Sequence, residues 1–587
     1  MAGEVATALT SFKSQIDKAS FITDMWFDLD QRRELAKTAW KEIEAYRYAT
    51  DTKSLPNAAS AFTHSTHVPV VAAIAEDLEA IITQVVMPHE DWFTFEALSA
   101  EAAKTEVSKA VVSYLKNRFA LNGQVGVIKK QVTSLVNYGI TFSQVFHSDE
   151  RNEDKVGYVG PKTRIISPYD IVFNPTAPDF NTTAKVIREI ISIGELVKRS
   201  KLGIVDKEAV DKLIKNRSTY MAGPRRQSDK NVQYVPMGYG SYEEYITTGH
   251  VELLWFYGDV YDQVNDELHE SKVIVVVDNE HVVLDEQVKT PTGRPYITRS
   301  VWKELPDNLW GQGPLANIIG LNYQVNHREN AKSEGLDRLI YPDKVFTGDI
   351  EEIYDEETGQ TTYINAEGGG GVQELAINTQ FLGFNLEIQG LEQHARAAAR
   401  LPSDLTGFRS QGEKTALEFS ALTDGGMRGF IDKASDFERN TLEPQLQYSI
   451  ELAHEHFGDA FKVPSKNEGG FIEMLNITKE QLASDGILIP KGSRRFARKN
   501  QIMSSLTQLT ASGLMQVVAP HMSGKGTTSF VENLLEVEDT GMFEEFAGII
   551  EQGEAQQVAN QVEQSTTIQS AQPSVEEEII NQELEGI

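Results

Sequence analysis

The chain has 587 residues, and 55 Lys and Arg stand against 86 Asp and Glu, a formal net charge of −31. A 40% hydrophobic and 24% charged mix is ordinary for a globular protein and excludes a disordered or fibrous chain. No apolar run approaches the roughly 18 residues that span a bilayer. At this acidity the chain is a poor candidate for gripping DNA through its phosphates, which takes clustered Lys and Arg.

Cysteine is absent, which excludes a disulfide scaffold, a thiol nucleophile and a thiolate metal site. The start, MAGEVATALTSFKSQIDKAS, has no apolar signal core. Both features fit synthesis in a reducing cytoplasm. The length leaves room for roughly three to five lobes.

Spacings of three and four predict helices through the first third. One stripe is Leu35, Ala39, Trp40, Ile43 and Tyr46. A second is Ile74, Leu78, Ile81, Ile82 and Val85, stopped by Met87-Pro88 because proline cannot continue the hydrogen-bond ladder. A third is Val107, Ala110, Val111, Tyr114 and Leu115, and a fourth is Ile128, Val132, Leu135 and Val136, ending near Gly139. Thr141–His147 and Thr163–Ile166 read as strands, with turns at Ser167-Pro168-Tyr169-Asp170 and Asn174-Pro175. Residues 195–217 return to helix, and Arg225–Tyr245 reads as an exposed loop. His250–Tyr261, Lys272–Val277, His281–Leu284 and Tyr296–Trp302 predict a β-meander, with Asp278-Asn279-Glu280 as a tight turn.

Gln312–Leu339 is composed as a helix with an unusual face. Its start is apolar (Leu315, Ile318, Ile319, Leu321), but its middle, NHRENAKSEG (Asn326–Gly335), is polar nearly all round. A helix without an apolar stripe stands in solvent or packs against copies of itself through polar contacts. Tyr341-Pro342 ends it. Short strands Glu352–Tyr354 and Thr361–Ile364 flank the turn Asp355–Gln360, and a second helix, about Thr379–Leu401, returns before Pro402. A helix therefore goes out, a small β module sits at its tip, and a helix comes back. The loop Pro402–Lys414 follows, then Thr415-Ala-Leu-Glu418, a capping box that starts a long helix interrupted by Gly425-Gly426 and Pro444. Ile487–Pro490 reads as a short strand. Beyond Lys525 there is no Lys or Arg, and the Gln- and Glu-rich end predicts a marginal tail.

Catalytic motifs fail on inspection. SGKGTT (Ser523–Thr528) lacks the phosphate-loop pattern, with Ala519 and Gly526 at its required Gly and Ser/Thr positions. Gly368–Gly371 reads as a connector. His64 with His67, and His454 with His456, lack the i, i+4 spacing of a helical metal pair. The acidic cluster Asp349, Glu351, Glu352, Asp355, Glu356 and Glu357 flanks a hairpin without calcium-loop spacing. No GxSxG is present. The expectation is a non-enzyme with no cofactor and no metal.

Several local patterns, in order over about residues 20–510, resemble the bacteriophage portal family, the ring that joins head to tail. LVNYGITFSQVFHSDE resembles its helix, "YG" turn and strand. ISPYDIVFNPTAPD resembles its strand and "P-x-D…D-P" turn, with Asn174 where Asp is common. LWGQGPLANIIGLNYQVNHRENAKSEGLDRLIYPDKVF resembles its "G-x-G" entry, first stem helix and proline stop. ARLPSDLTGFRSQGEKTALEF resembles its second stem helix, tunnel loop and the "TA-x-E" start of the inner helix.

The resemblance implies an α+β, mainly helical subunit of a twelve-fold ring with a central channel. Its parts would be a wing (1–310), stem helix 1 (311–340), clip (341–378), stem helix 2 (379–402), tunnel loop (403–414), long kinked inner helix and wing return (415–510), and crown with acidic tail (511–587). It implies DNA-facing residues Phe408, Arg409, Ser410, Gln411, Gly412 and Lys414. Clip docking residues would be Tyr354, Asp355, Glu356, Glu357 and Tyr363, and inter-subunit stem residues Asn326, Arg328, Lys332, Arg396 and Arg400. Implied partners are double-stranded DNA in transit, the terminase large subunit, a tail adaptor or head-completion protein, and the major capsid and scaffolding proteins, with no membrane. The location would be the virion, and the host cytoplasm during assembly. The alternatives are another ring-forming tail adaptor or nozzle protein, and a metal-dependent nuclease using the acidic cluster.

Overall fold

The computed structural model describes residues 12–55, 63–87, 92–98, 105–150, 157–216, 228–246, 249–342, 344–347, 350–355, 360–365, 371–374, 381, 383–401, 429–456, 460–466, 472–482 and 486–493. The chain divides into one compact unit of Met1–Ser465 with Glu473–Arg498 and another of Lys466–Ile472 with Lys499–Ile587. The expected tunnel loop and the expected crown and tail lie outside the described residues. The first unit is a mixed α+β fold.

Helix α1 (Gln15–Arg32) begins at Ser14, whose hydroxyl accepts the Asp17 N–H at 3.0 Å and so satisfies one of the orphan donors of the first turn. It lies ahead of the first helix that the sequence predicts. In α2 (Glu34–Tyr48), Trp40, Ile43 and Tyr46 are buried as their spacing predicts, but Leu35 is 88% exposed. The buried stripe takes Lys37 and Glu44 instead, held by polar partners.

α3 (Val70–Val86), β1 (Phe93–Ala97), α4 (Thr105–Asn122) and α5 (Gln124–Tyr138) build a helical core. α5 ends at Gly139, in the left-handed region at φ 74°, which glycine adopts without a Cβ clash. There the backbone meets Gly313, so that a Cβ on Gly139 would stand 2.2 Å from the Gly313 nitrogen. The YG turn and the G-x-G entry are thus two sides of one close backbone approach.

Beyond Gly139, β2 (Ile140–Asp149) pairs antiparallel with β3 (Val159–Ile166). A five-stranded antiparallel sheet follows in the order β4 (Ile171–Phe173), β5 (Lys185–Ser192), β6 (His250–Asp262), β7 (Glu267–Val277), β8 (His281–Gln287). Asp278 and Asn279 both have positive φ, 50° and 65°, the geometry of the tight hairpin turn expected there. The fourth expected strand of the meander, β9 (Ile297–Val301), leaves it and pairs with β2.

The five-stranded sheet is buried on both faces with a two-residue period. Val186, Leu254, Phe256, Ile274 and Val276 pack with Ala19, Ile22, Met25, Trp26 and Leu29 of α1. Ile187, Leu253, Trp255, Val275 and Val277 face the other way, into the core that holds Leu196 of α6 (Ile193–Lys201) and Val210 and Leu213 of α7 (Lys207–Asn216). The single helix expected over 195–217 is this pair, broken at Leu202–Asp206.

The segment expected as an exposed loop carries short helices α8 (Asn231–Tyr234) and α9 (Tyr242–Tyr245). It is tied down at Lys230, whose ammonium meets Asp170 at 2.6 Å, and at Gln233, whose amide donates to Glu44 at 2.5 Å. α10 (Ile319–Ile340), four short strands β10 (Lys344–Thr347), β11 (Ile350–Asp355), β12 (Gln360–Asn365) and β13 (Gly371–Glu374), and α11 (Phe384–Ala398) come next. A helix over 429–437 then runs through a π turn, Glu438–Leu442, into α12 (Glu443–His456). The wider turn directly precedes Pro444, which has no N–H for the carbonyl four residues back. β14 (Ala460–Lys466) and β15 (Ile472–Thr478) form a two-stranded sheet, α13 (Lys479–Leu482) follows, and β16 (Gly486–Pro490), the expected late strand, pairs antiparallel with β1.

Candidate functional site

The helix–β–helix excursion is built on α10, 22 residues or about 33 Å long at 1.5 Å per residue. Its apolar entry is buried at Leu315, Ile318 and Ile319, and Trp310 just before it stacks on Phe173 at 4.5 Å. The polar middle is where expectation and structure part. Asn322, Asn326 and Asn330 recur every four residues, hence on one helix face, and are 0%, 4% and 3% exposed.

All three asparagines grip one stretch of the same chain, residues 66–71, which runs into the first turn of α3. Asn322 accepts the Val71 N–H at 2.9 Å and donates to the Val68 carbonyl at 3.0 Å. Asn326 accepts the Val68 N–H at 2.9 Å. Asn330 accepts the Thr66 N–H at 2.8 Å and donates to the Thr66 carbonyl at 2.9 Å. The Asn326 amide also donates to His67 Nδ1 at 3.0 Å, and His67 Nε2 donates to the Tyr46 carbonyl at 3.2 Å. Burial lowers the His67 pKa, and the neutral ring with one donor and one acceptor suits this pair of contacts.

The helix therefore does have an intrachain face, and it is polar. Each side-chain amide meets backbone groups of this stretch, and Asn322 takes the Val71 N–H, one of the orphan donors of the first turn of α3. Asn326, expected at a subunit boundary, is committed to this ladder. The four-residue spacing of Asn is the signal in the sequence, and apolar periodicity alone does not reveal it.

α11 runs antiparallel to α10: contacts pair position 328 with 387, 332 with 385 and 335 with 381. Arg328 Nε meets Glu387 at 2.7 Å, and Lys332 meets Glu329 at 2.7 Å and Asn385 at 3.1 Å. Gly335 leaves room for the Phe381 ring, which a Cβ there would approach at 2.9 Å. Arg396 turns inward to Asp77 of α3 at 3.1 Å, fastening α11 to the helical core. Arg400 follows α11 at φ 59°. Arg328, Lys332 and Arg396, expected between subunits, thus have partners within their own chain. At the far end of α10 Leu339, Ile340 and Tyr341 are exposed, Tyr341 by 79%, and Leu386 in the first turn of α11 is 77% exposed.

The module at the tip is two nested antiparallel ribbons. β10 (Lys344–Thr347) pairs with β13 (Gly371–Glu374), and β11 (Ile350–Asp355) pairs with β12 (Gln360–Asn365). Tyr354 lies opposite Thr361, Tyr363 opposite Glu352, and Asp355 opposite Gln360 at the last rung. Glu356 and Glu357 in the turn, and Phe408, Arg409, Ser410, Gln411, Gly412 and Lys414 of the expected tunnel loop, lie outside the described residues.

The motif histidines have structural surroundings. His64 Nε2 lies 2.5 Å from Asp337, and His456 stacks on His147 with ring centroids 4.1 Å apart. Among the described residues no three His, Asp or Glu gather as a metal site, and no helix is long and apolar enough to cross a membrane.

A half-open cleft of about 260 Å³ lies elsewhere, lined by Arg164, Asp170, Arg188, Glu189, Lys230 and Tyr242. Its carboxylates are saturated. Asp170 takes Arg188 at 3.0 Å and Lys230 at 2.6 Å, while Glu189 takes Arg199 at 2.8 Å, Arg164 and the Trp255 indole at 3.0 Å. These ion pairs hold both acids below the usual carboxylate range against the opposing effect of burial. The cleft is a clamp on the segment that begins at Ser228, and it explains the ISPYD run: Asp170 is its anchor.

Comparison with protein-family models finds no match, and comparison with curated proteins finds none.

Proposed function

We propose that the chain is the subunit of a portal-type ring, a passive channel for double-stranded DNA at a capsid vertex during packaging and ejection. The observation that carries this reading is the antiparallel pair α10 and α11 standing on an α+β body with a β module at its tip, in the order of parts that the portal family shows. The pair would form the stem and residues 341–378 the clip, docking a terminase large subunit during packaging and a tail adaptor or head-completion protein afterwards. Residues 403–414 would form the tunnel loop. The ring would reside in the virion after assembly in the host cytoplasm with capsid and scaffolding proteins.

Charge supports a conduit rather than a clamp. Each phosphate neutralised by Lys or Arg releases counterions and tightens binding, so a chain of net charge −31 favours DNA that slides. The far end of the pair supports association, because exposed Leu339, Ile340 and Tyr341 mark a surface that other protein covers. The polar middle of α10 carries no weight here, since its asparagines are satisfied within the chain.

Negative-stain microscopy of the purified protein tests the reading. The expected result is rings with a central hole. Single compact particles at every protein and salt concentration contradict it. Linear DNA incubated with the protein and magnesium should remain intact; cleavage would favour a metal-dependent nuclease.

A further inference from the structure

The five-stranded sheet carries helices on both faces, and the outer surfaces of those helices differ in charge. On one side the outer stripe of α1 is Ile16, Ser20, Asp24, Phe27, Asp28 and Gln31, spaced three and four apart and all exposed. Glu34 and Leu35 continue it at the corner into α2. Phe27 is 48% and Leu35 88% exposed, on a stripe with exposed Asp24, Asp28 and Glu34; Arg32 pairs with Asp28 at 2.8 Å, and Glu34 meets Lys37 at 2.7 Å and Lys41 at 3.8 Å.

On the opposite side, the α6–α7 hairpin turns Leu196, Val210 and Leu213 to the sheet. Outward it shows Leu202, Ile204 and Ile214, 51%, 43% and 38% exposed. Around these stand exposed Lys198, Lys201, Lys207, Lys212 and Lys215, against exposed Asp206, Glu208 and Asp211. In a chain of net charge −31 this is a basic surface with apolar side chains at its centre, and α1 offers an acidic surface built the same way.

We infer that these two surfaces meet between copies of the chain: the α6–α7 hairpin of one copy docks on the α1–α2 corner of the next. The occupant of each surface is a second copy because the chain itself presents the complement, apolar centre to apolar centre and lysines to carboxylates. The surfaces lie on opposite faces of one sheet, so the contact is head-to-tail. A head-to-tail contact repeats, giving a closed ring or an open filament rather than a two-fold dimer. The inference rests on the ring reading in that copies associate, and it names the surfaces by which they do so.

Charge reversal tests it on the full chain. One variant carries Lys201→Glu, Lys207→Glu and Lys215→Glu; the other carries Asp24→Lys and Asp28→Lys. All five positions are exposed, and circular dichroism and thermal melting check that each variant folds. The first variant has two acidic surfaces and the second two basic ones. By sedimentation velocity in low salt, each alone should need at least about ten-fold more protein than wild type to half-assemble, since like charges face each other. An equimolar mixture should restore assembly, the copies alternating.

Variants that assemble like wild type, or a mixture that restores nothing, overturn the inference while wild-type rings leave the ring reading standing. Loss of assembly in the lysine variant alone means that another acidic surface meets the hairpin, and this pairing is wrong. A wild-type protein that stays monomeric under every condition sinks both readings together.

Discussion

Asn326 accepts the backbone N–H of Val68 through its side-chain oxygen at 2.9 Å, across 258 positions of sequence. With Asn322 and Asn330 it ties α10 to residues 66–71, so that the base of the helix pair is fastened to the start of α3. A helix that must project from a body needs such an anchor, and amide side chains supply one where the backbone to be held is polar.

Asn322 makes the best-buried rung. Asn322→Ala should lower unfolding stability by about 1–3 kcal/mol, because the buried Val71 N–H loses its acceptor while the Val68 carbonyl keeps the Val70 N–H at 2.9 Å. Asn322→Leu should fare no better despite its apolar volume, since the Val71 N–H stays unpaired. Urea denaturation of the two variants checks this; a leucine variant as stable as wild type would show that water replaces the amide.

Lys185 is 2% exposed in β5. Its ammonium lies 4.5 Å from the Phe180 ring centre and 3.4 Å from the Asn181 carbonyl. Burial pushes its pKa down to about 7, against a smaller opposing pull from Asp179. A depressed lysine destabilises the fold fully below that value, and the loss fades as pH rises toward the ordinary 10.5, because the unfolded chain then binds the extra proton. Lys185→Met should therefore stabilise the protein by about 1–3 kcal/mol at pH 7 and by progressively less toward pH 10. Thermal melts across that range give the profile.

Glu44 is buried completely under the phenol of Tyr138, the Tyr169 hydroxyl at 3.3 Å and the Gln233 amide at 2.5 Å. Burial raises its pKa, and these three donors oppose the rise. An acid with a raised folded pKa loses stability as pH climbs from its unfolded value through its folded one. The stability of Glu44→Gln relative to wild type should accordingly increase from pH 4.5 upward and level off above the folded pKa. A difference independent of pH, measured by urea denaturation at several pH values, would mean that Glu44 is ionised throughout.

The β module is the proposed docking element. Deleting the turn Asp355–Gln360 removes only the last rung of the β11–β12 ribbon and leaves the β10–β13 ribbon and both helices untouched. Rings should form normally while tail attachment fails, counted by microscopy of assembled particles. Normal tails on such particles would place docking elsewhere.

What the sequence determines by itself is whatever repeats locally. The stripes through α3, α4 and α5 are buried where their three- and four-residue spacing puts them, because a helix face needs no knowledge of its partner. The out-and-back order of α10, the β module and α11 is legible from its proline stops and turn residues, and the hairpin at Asp278-Asn279 from its turn chemistry. The tertiary structure alone decides which distant segments meet. β5 is hidden in the sequence because Lys185, Arg188 and Glu189 break its apolar run, yet it is an interior strand, with Arg188 held by Asp170 and Glu189 by Arg164 and Arg199. β9 looks like the last strand of a meander and pairs with β2 instead, and β1 waits almost 400 residues for β16. Leu35 has the spacing of a core residue and faces solvent. The polar face of α10 has no apolar periodicity, so its burial follows only from the backbone groups at 66–71 that its asparagines bond. Local periodicity encodes a face; the partner of that face is chosen by loop closure, packing and the demand that every buried backbone group be satisfied, and those belong to the whole fold.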